Sequence, residues 1–467
     1  MRPSKAKDHH AAGPPPGPPR ASRQTSAPAE HSRLGGPAPS PDSRPEGDMP
    51  DPSAMDVTDL RTIDADVPAA VGRLLGRLLA ERTAQATALD PVFAHDLAER
   101  VARFTLDGGK RTRSQFVWWA LRACGGDTRD AEAALRVGAA LELIQTCALV
   151  HDDVMDGSQL RRGRLTLHMD VEAQYADASV SPHGTRFGEA AAILAGDLAL
   201  AWADDVLADT EPAADTARQV RELWSAMRME MVAGQYLDIQ GQTTSSRSLA
   251  RAIRAACLKS ARYSVERPLA LGAALAGADA ATTTALCSAG RCVGIAFQLR
   301  DDLHDVYGSP GRTGKPSGGD IRSGKPTYLV AVARARAEAA DDHHALAVLR
   351  RSLGRADLSE AGLAEVRDVL VATGARETVE AKIDRLVAQG MRHLDTAVLE
   401  PDGRRRLREL LHTTAGAPPA QRRPSGTPGT SGTPGTSGTP GTPGTCGTED
   451  GMPLSLLLTA GAEGATR

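Results

Sequence analysis

The sequence predicts an all-α protein, a large helical bundle around a central cavity, with a disordered tail at each end. Three observations carry this. From about Asp59 to about Leu411 apolar residues recur at three- and four-residue spacing, as in Val67, Ala70, Val71, Leu74, Leu75 and Leu78, the pattern of a buried helix face. Strand signals are nearly absent over that span: alternating β-branched runs are few, and no Asn-Gly hairpin turn occurs. Several helical stretches are also longer than the usual globular helix, which suits a large bundle enclosing a cavity.

The elements follow in chain order. Residues 1–57 are rich in Pro, Ser, Gly and charge with almost no branched apolar residues, so they cannot bury enough surface to offset chain entropy and read as a disordered arm. Residues 58–415 form the folded domain. Within it the spacing predicts helices over Asp130 to Asp156, Thr185 to Leu207, Ala213 to Gln240, Ser248 to Leu275 and Thr282 to Tyr307. Loops are marked by Asp107-Gly108-Gly109, Gly125-Gly126-Asp127, Ser181-Pro182-His183-Gly184 and Gly308-Ser309-Pro310-Gly311. Residues 416–451 carry a Ser-Gly-Thr-Pro-Gly-Thr type repeat that should behave as an extended flexible spacer. Residues 452–467 open with the apolar island Met452 to Leu458, which reads either as a docking peptide or as a frayed terminus.

Composition narrows the class. A net charge of -3 gives no footprint for nucleic acid or an anionic membrane surface. The cysteines Cys124, Cys147, Cys257, Cys287, Cys292 and Cys446 show no CxxC pairing and mostly sit in apolar helical stretches, as buried thiols of a reducing cytoplasm would. No transmembrane segment is expected, because the best apolar run, Ala190 to Ala203, is broken by Gly196 and Asp197. The N-terminus lacks the apolar stretch of a signal peptide.

Two copies of one acidic pattern carry the chemistry: Asp152, Asp153 and Asp156, and Asp301, Asp302 and Asp305. On a helix the first and last of each lie on one face about a turn apart, spaced to hold hard cations jointly. Leu149 and Val150 precede the first cluster and Ile295, Ala296, Phe297 and Leu299 the second, so both end apolar stretches. Charges at the mouth of an apolar cavity need compensating cations. Basic residues fit that need: the glycine turn Gly108-Gly109-Lys110-Arg111-Thr112-Arg113 opens a helix, Arg161-Arg162-Gly163 follows the first cluster, Lys259 lies in a helix, and Lys315 and Lys325 lie in a glycine-rich loop. Together they suggest a site for two polyphosphates.

In their order, these elements resemble the trans-isoprenyl diphosphate synthases, the polyprenyl synthetase family, and most closely its geranylgeranyl diphosphate synthases. The match runs through Gly109 to Arg113, Leu141 to Asp153, Arg161 to Gly163, Lys259-Ser260, Gly294 to Asp302 and Gly314 to Lys325, over about residues 60 to 415. The resemblance implies an isoprenoid synthase fold, a homodimer, and head-to-tail condensation of isopentenyl diphosphate with an allylic diphosphate. It implies three Mg²⁺ ions held by Asp152, Asp156 and Asp301, with Asp153, Asp302 and Asp305 in support. Arg161, Lys259, Lys315 and Lys325 bind the allylic diphosphate; Lys110, Arg113, Gln145 and Arg162 bind that of isopentenyl diphosphate. Gln298, the Lys259 carbonyl and the Ser260 hydroxyl ease the charge of the allylic cation. In that family bulky aromatics four and five residues before the first cluster stop growth at fifteen carbons. Those positions hold Ala148 and Cys147, so the pocket gains roughly one helical turn, about 5.4 Å, and geranylgeranyl diphosphate is the expected product.

Farnesyl or longer polyprenyl products remain alternatives, because Cys147 and Ala148 could merely pack while another helix forms the floor. Gln145 stands where many long-chain members have His, Leu165 where Pro is usual and Ser260 where Thr is usual. A terpene cyclase shares an Asp-rich helix but lacks the isopentenyl site, and a non-catalytic scaffold would not need intact acidic clusters. Either tail could dock a protein shell or a downstream terpene enzyme.

Overall fold

The structure is a computed structural model that describes residues 59–176, 186–244, 249–308 and 317–416. Both predicted tails, Lys315, Cys446 and the Ser181 to Gly184 loop lie outside the described residues.

Asp59 and Asp66 cap the first two helices, accepting from Arg61 N and Ala69 N, and so satisfy amides that a helix start leaves open. These are α1 (Leu60–Ala65) and α2 (Val67–Leu89), followed by the short α3 (Pro91–Phe93). A π-helical turn, Ala94–Ala98, leads into α4 (Glu99–Leu106). Trp118 on α5 (Thr112–Ala123) donates its indole N–H to Asp64 Oδ1 at 2.8 Å, tying the N-terminal helix to the core.

Helix α6 (Thr128–Met155) is the central column, started by a reciprocal capping box between Asp127 and Asp130. Leu141 and Ile144 on it are completely buried, each worth about 2 kcal/mol of apolar transfer. By length and hydropathy this helix alone among the described residues could cross a membrane, but 72% of its apolar window is buried inside the protein. The helix that meets the spanning length and hydropathy is thus α6 and not the Ala190 to Ala203 run, and its burial makes it a core helix.

The RRG segment forms the small hairpin that turn chemistry did not announce: β1 (Leu160–Arg161) pairs antiparallel with β2 (Arg164–Leu165). Its two turn residues, Arg162 at φ 53° and Gly163 at φ 76°, supply the paired left-handed conformations that a tight hairpin needs. Helices α7 (Leu167–Gln174), α8 (Phe187–Ala208) and α9 (Ala214–Thr243) follow.

The single helix predicted from Ser248 to Leu275 is three pieces: α10 (Leu249–Ala256), a ten-residue π-helical stretch Cys257–Glu266, and α11 (Arg267–Leu275). Glycines explain why the stretch fits. A Cβ on Gly234 of α9 would lie 2.4 Å from Lys259 N, and one on Gly294 would lie 2.5 Å from Ala261 Cα, so neighbouring helices press on it from two sides. Gly294 lies on α12 (Ala280–Tyr307). Helices α13 (Gly319–Ser323), α14 (Tyr328–Ala339), α15 (His343–Ser352), α16 (Glu360–Ala372), α17 (Ala375–Thr396) and α18 (Pro401–Thr414) complete the bundle. The five described cysteines are free thiols; Cys147 and Cys292 are buried and the other three half-buried.

Candidate active site

The first acidic cluster closes α6 and the second lies near the end of α12. Lys259 Nζ, from the π-helical stretch, bridges Asp152 Oδ1 and Asp238 Oδ2, both at 3.0 Å. Gln235 Nε2 donates to the same Asp152 oxygen at 2.7 Å. Burial opposes ionisation of Asp152, but the Lys259 charge and these hydrogen bonds outweigh it and hold the carboxyl below its ordinary range. Asp153 is turned inward, 1% exposed, with both oxygens taken by Arg161, at 2.7 Å from Nε and 2.6 Å from Nη2. Asp153 therefore bears on the site through Arg161. Asp156 is open to solvent at the mouth, yet dense protein around it and then the Asp152 charge raise its carboxyl to about 6.

At the second cluster Asp301 is exposed, Asp302 buried and Asp305 half-buried. Gln298 Nε2 donates to Asp302 Oδ1 at 2.8 Å, and the Ser260 hydroxyl donates to Gln298 Oε1. Asp305 Oδ2 accepts from the Asp320 backbone N–H at 2.9 Å. Burial, with Asp320 and Asp301 adding negative charge, pushes Asp302 up to about 7 and Asp305 to about 6. Lys325, 3.5 Å from Asp320, feels Asp238, Asp302 and Asp301 as well, and its charge also reaches Asp152. It links the two clusters electrostatically.

The residues predicted for a second diphosphate fall in two places, Arg113 with Gln145 at Tyr263 and Arg162 with Lys110 at the glycine turn. Arg113 Nη2 donates to Ser264 Oγ at 2.8 Å, and its guanidinium lies 4.6 Å from the centre of the Tyr263 ring. The Tyr263 hydroxyl donates to Gln145 Oε1 at 2.9 Å. Arg162 Nη1 donates to Asp107 O at 2.8 Å, which holds it against the glycine turn; a Cβ on Gly109 would meet Arg162 Nη2 at 3.6 Å. Lys110 is exposed on that turn. Arg111, buried and left-handed at φ 46°, lies 3.7 Å from Glu142 and anchors the turn.

Cys147 and Ala148 sit on α6 one turn before the cluster. Cys147 packs with its sulfur 3.8 Å from His151 Nδ1, while Ala148 is half-exposed. His151 fits α8 because Gly196 leaves room: a Cβ there would lie 2.1 Å from His151 Nε2.

The donor set around the clusters is carboxylate oxygen, the chemistry that hard divalent cations prefer. Among the described residues no three His, Cys, Asp or Glu side chains converge on one metal position. The raised Asp302 and Asp305 carboxyls mark a surplus of negative charge that cations would relieve, so the residues fit Mg²⁺ shared with a ligand's own oxygens.

The profile of the polyprenyl synthetase family matches residues 95–365. The chain belongs to that family. It is 35% identical over 274 residues to a farnesyl diphosphate synthase of Geobacillus stearothermophilus, covering 57% of this chain and 84% of the relative. It is 32% identical over 295 residues to a geranylgeranyl diphosphate synthase of Mycobacterium tuberculosis, covering 63% and 77%. Among solved structures, a geranylgeranyl pyrophosphate synthase of Corynebacterium glutamicum, complexed with isoprenyl diphosphate and magnesium, aligns with a TM-score of 0.70 at 37% identity, covering 74% of this chain and 98% of that one. The activity class is that of a trans-prenyl diphosphate synthase, and the isoprenoid synthase fold is shared with these structures.

Sequence reading missed Gln235, Asp238 and Asp320. Gln235 and Asp238 lie three residues apart on α9, directly after the close-packed Gly234, in Gly234-Gln235-Tyr236-Leu237-Asp238. That glycine is the signal: a helix pressed against another beside a polar i, i+3 pair is not a solvated face.

Proposed function

We propose that the protein condenses isopentenyl diphosphate with an allylic diphosphate, head to tail, and releases the twenty-carbon all-trans geranylgeranyl diphosphate. The observation that carries this reading is Lys259 paired with the first acidic cluster and Lys325 within the field of both, with Arg113 and Gln145 joined at Tyr263 and Arg162 held on the glycine turn for a second diphosphate. Asp152, Asp156 and Asp301 would hold Mg²⁺, with Asp302 and Asp305 assisting. When bound, Mg²⁺ supplies positive charge that offsets the charge building on the leaving diphosphate.

The chain's own residues do the rest. Lys259 and Lys325 face the allylic diphosphate, and Arg161, braced by Asp153, keeps N–H donors for it. One unit-charge pair at 4 Å is worth only about 4 kcal/mol at an effective dielectric of 20, so several cations must act together. As the allylic carbon-oxygen bond breaks, the Ser260 hydroxyl donates to Gln298 and so presents lone pairs to the cation. The isopentenyl double bond attacks that cation, and the proton lost from the adduct passes to the departing diphosphate.

Product length rests on Ala148, whose small, half-exposed side chain shares the α6 face of Asp152. The homodimer is assigned to the exposed stripe Met229, Val232 and Tyr236 on α9 with Ile193 and Leu194 on α8, an apolar face that a second copy would cover.

Product analysis with isopentenyl diphosphate, Mg²⁺ and each allylic primer in turn tests the reading. Geranylgeranyl diphosphate is expected to dominate. Farnesyl diphosphate alone would overturn the chain length, and a cyclic hydrocarbon from allylic diphosphate alone would overturn the condensation.

A further inference from the structure

The roles above leave Tyr263 without a part. It is 3% exposed and lies in the π-helical stretch four residues after Lys259. Its ring underlies the Arg113 guanidinium, its hydroxyl donates to Gln145, and its neighbour Ser264 accepts from Arg113. Arg113 comes from α5 and Gln145 from α6, so one short element fixes side chains of two separate helices.

The chemistry of each contact suits an anion. Stacking engages one face of the guanidinium and leaves its N–H edge available. With the Gln145 amide oxygen engaged by the phenol, the donor end of that amide is left for a ligand. Burial holds the phenol in its neutral, donating form.

We infer that Tyr263 is a positioning residue for the isopentenyl diphosphate subsite: it holds Arg113 and Gln145 as one anion clamp, registered to Lys259 through the π-helical stretch. The inference rests on the proposed condensation for the identity of the ligand. A side chain serving only as core filling would need the ring alone, and here the hydroxyl is spent on a residue of the site.

The test varies each substrate separately in wild type, Tyr263→Phe and Tyr263→Leu, and measures isopentenyl diphosphate binding by calorimetry without an allylic partner. Tyr263→Phe should raise the KM for isopentenyl diphosphate about 3- to 10-fold, the effect of one lost hydrogen bond, with kcat and the allylic KM within about twofold of wild type. Tyr263→Leu, which also loses the stacking, should raise it about 10- to 100-fold. Adding Tyr263→Phe to Gln145→Leu should cost little beyond Gln145→Leu alone, because both remove the same contact. Equal rises in both KM values, or no rise in either, would overturn the inference. If Tyr263→Leu does not fold, Tyr263→Phe decides. Absence of turnover in wild type would sink the condensation itself; calorimetry then still judges the clamp, which fails if Tyr263→Phe binds isopentenyl diphosphate as tightly as wild type.

Discussion

The first acidic cluster lies among cations and donors drawn from other elements, whereas the second lies beside further carboxylates. Asp152 has Lys259 and Gln235, and Asp153 has the Nε–Nη2 edge of the Arg161 guanidinium. Asp302 has the neutral Gln298 amide and Asp305 a backbone N–H, while Lys325 is shared with Asp320. The same spacing therefore yields a carboxyl held below its ordinary range at Asp152 and one raised to about 7 at Asp302. Asp152 and Asp153 are charge-balanced by the protein, whereas Asp156, Asp302 and Asp305 carry an excess of negative charge that cations brought with the substrate would offset.

The largest test of that contrast is removal of one charge on each side. Asp152→Asn should lower kcat at least about 10³-fold, as loss of a principal electrostatic group in a water-poor site does. Asp302→Asn should cost at least about tenfold less, because Asp302 assists at the Mg²⁺ site and is not one of its principal holders; equal losses in steady-state assays would erase the distinction.

Stability should show the reverse asymmetry. Arg161→Met strands the buried Asp153 charge and should cost about 3 to 5 kcal/mol in denaturant unfolding. Asp302→Asn should leave the metal-free midpoint at pH 7.5 unchanged or raised, since it removes an anion from a crowded site.

The pH dependence sharpens the comparison further. Unfolded aspartates ionise near 3.9, whereas Asp302 and Asp305 ionise at about 7 and 6 in the fold, so the folded chain binds more protons between those values. Their contribution to stability is therefore present at low pH and is lost as pH rises towards 7. Mg²⁺ requires the ionised forms, so the Mg²⁺-induced rise in Tm should be larger at pH 7.5 than at pH 5.5; an equal rise would count against it. The smallest effect belongs away from both clusters: Arg164→Ala breaks an exposed pair with Asp107 and should change stability by no more than about 0.5 kcal/mol.

Much of this was legible in the sequence. The long helices that carry both clusters follow from apolar periodicity, and the predicted Asp130 to Asp156 helix differs from Thr128–Met155 only at its ends. Periodicity cannot say which helices are neighbours, so Asp238, which shares Lys259 with Asp152, was invisible as part of the site. Nor does it show the π-helical stretch, because the wider turns of Cys257–Glu266 leave an apolar pattern that still reads as α-helix. The Arg162-Gly163 turn was hidden for a different reason: a left-handed arginine has no turn signature of its own and is held by its bond to Asp107 O.

The most direct test of the two clusters as one site is a kinetic cycle of Asp152→Asn, Asp301→Asn and the double variant, with isopentenyl diphosphate, an allylic primer and Mg²⁺. Residues that act as a unit lose little more together than singly. Each single variant should therefore lose most of the activity, with the double variant no worse than the weaker single one by more than about threefold. Losses that multiply, or an Asp301→Asn enzyme with near wild-type turnover, would contradict a shared site.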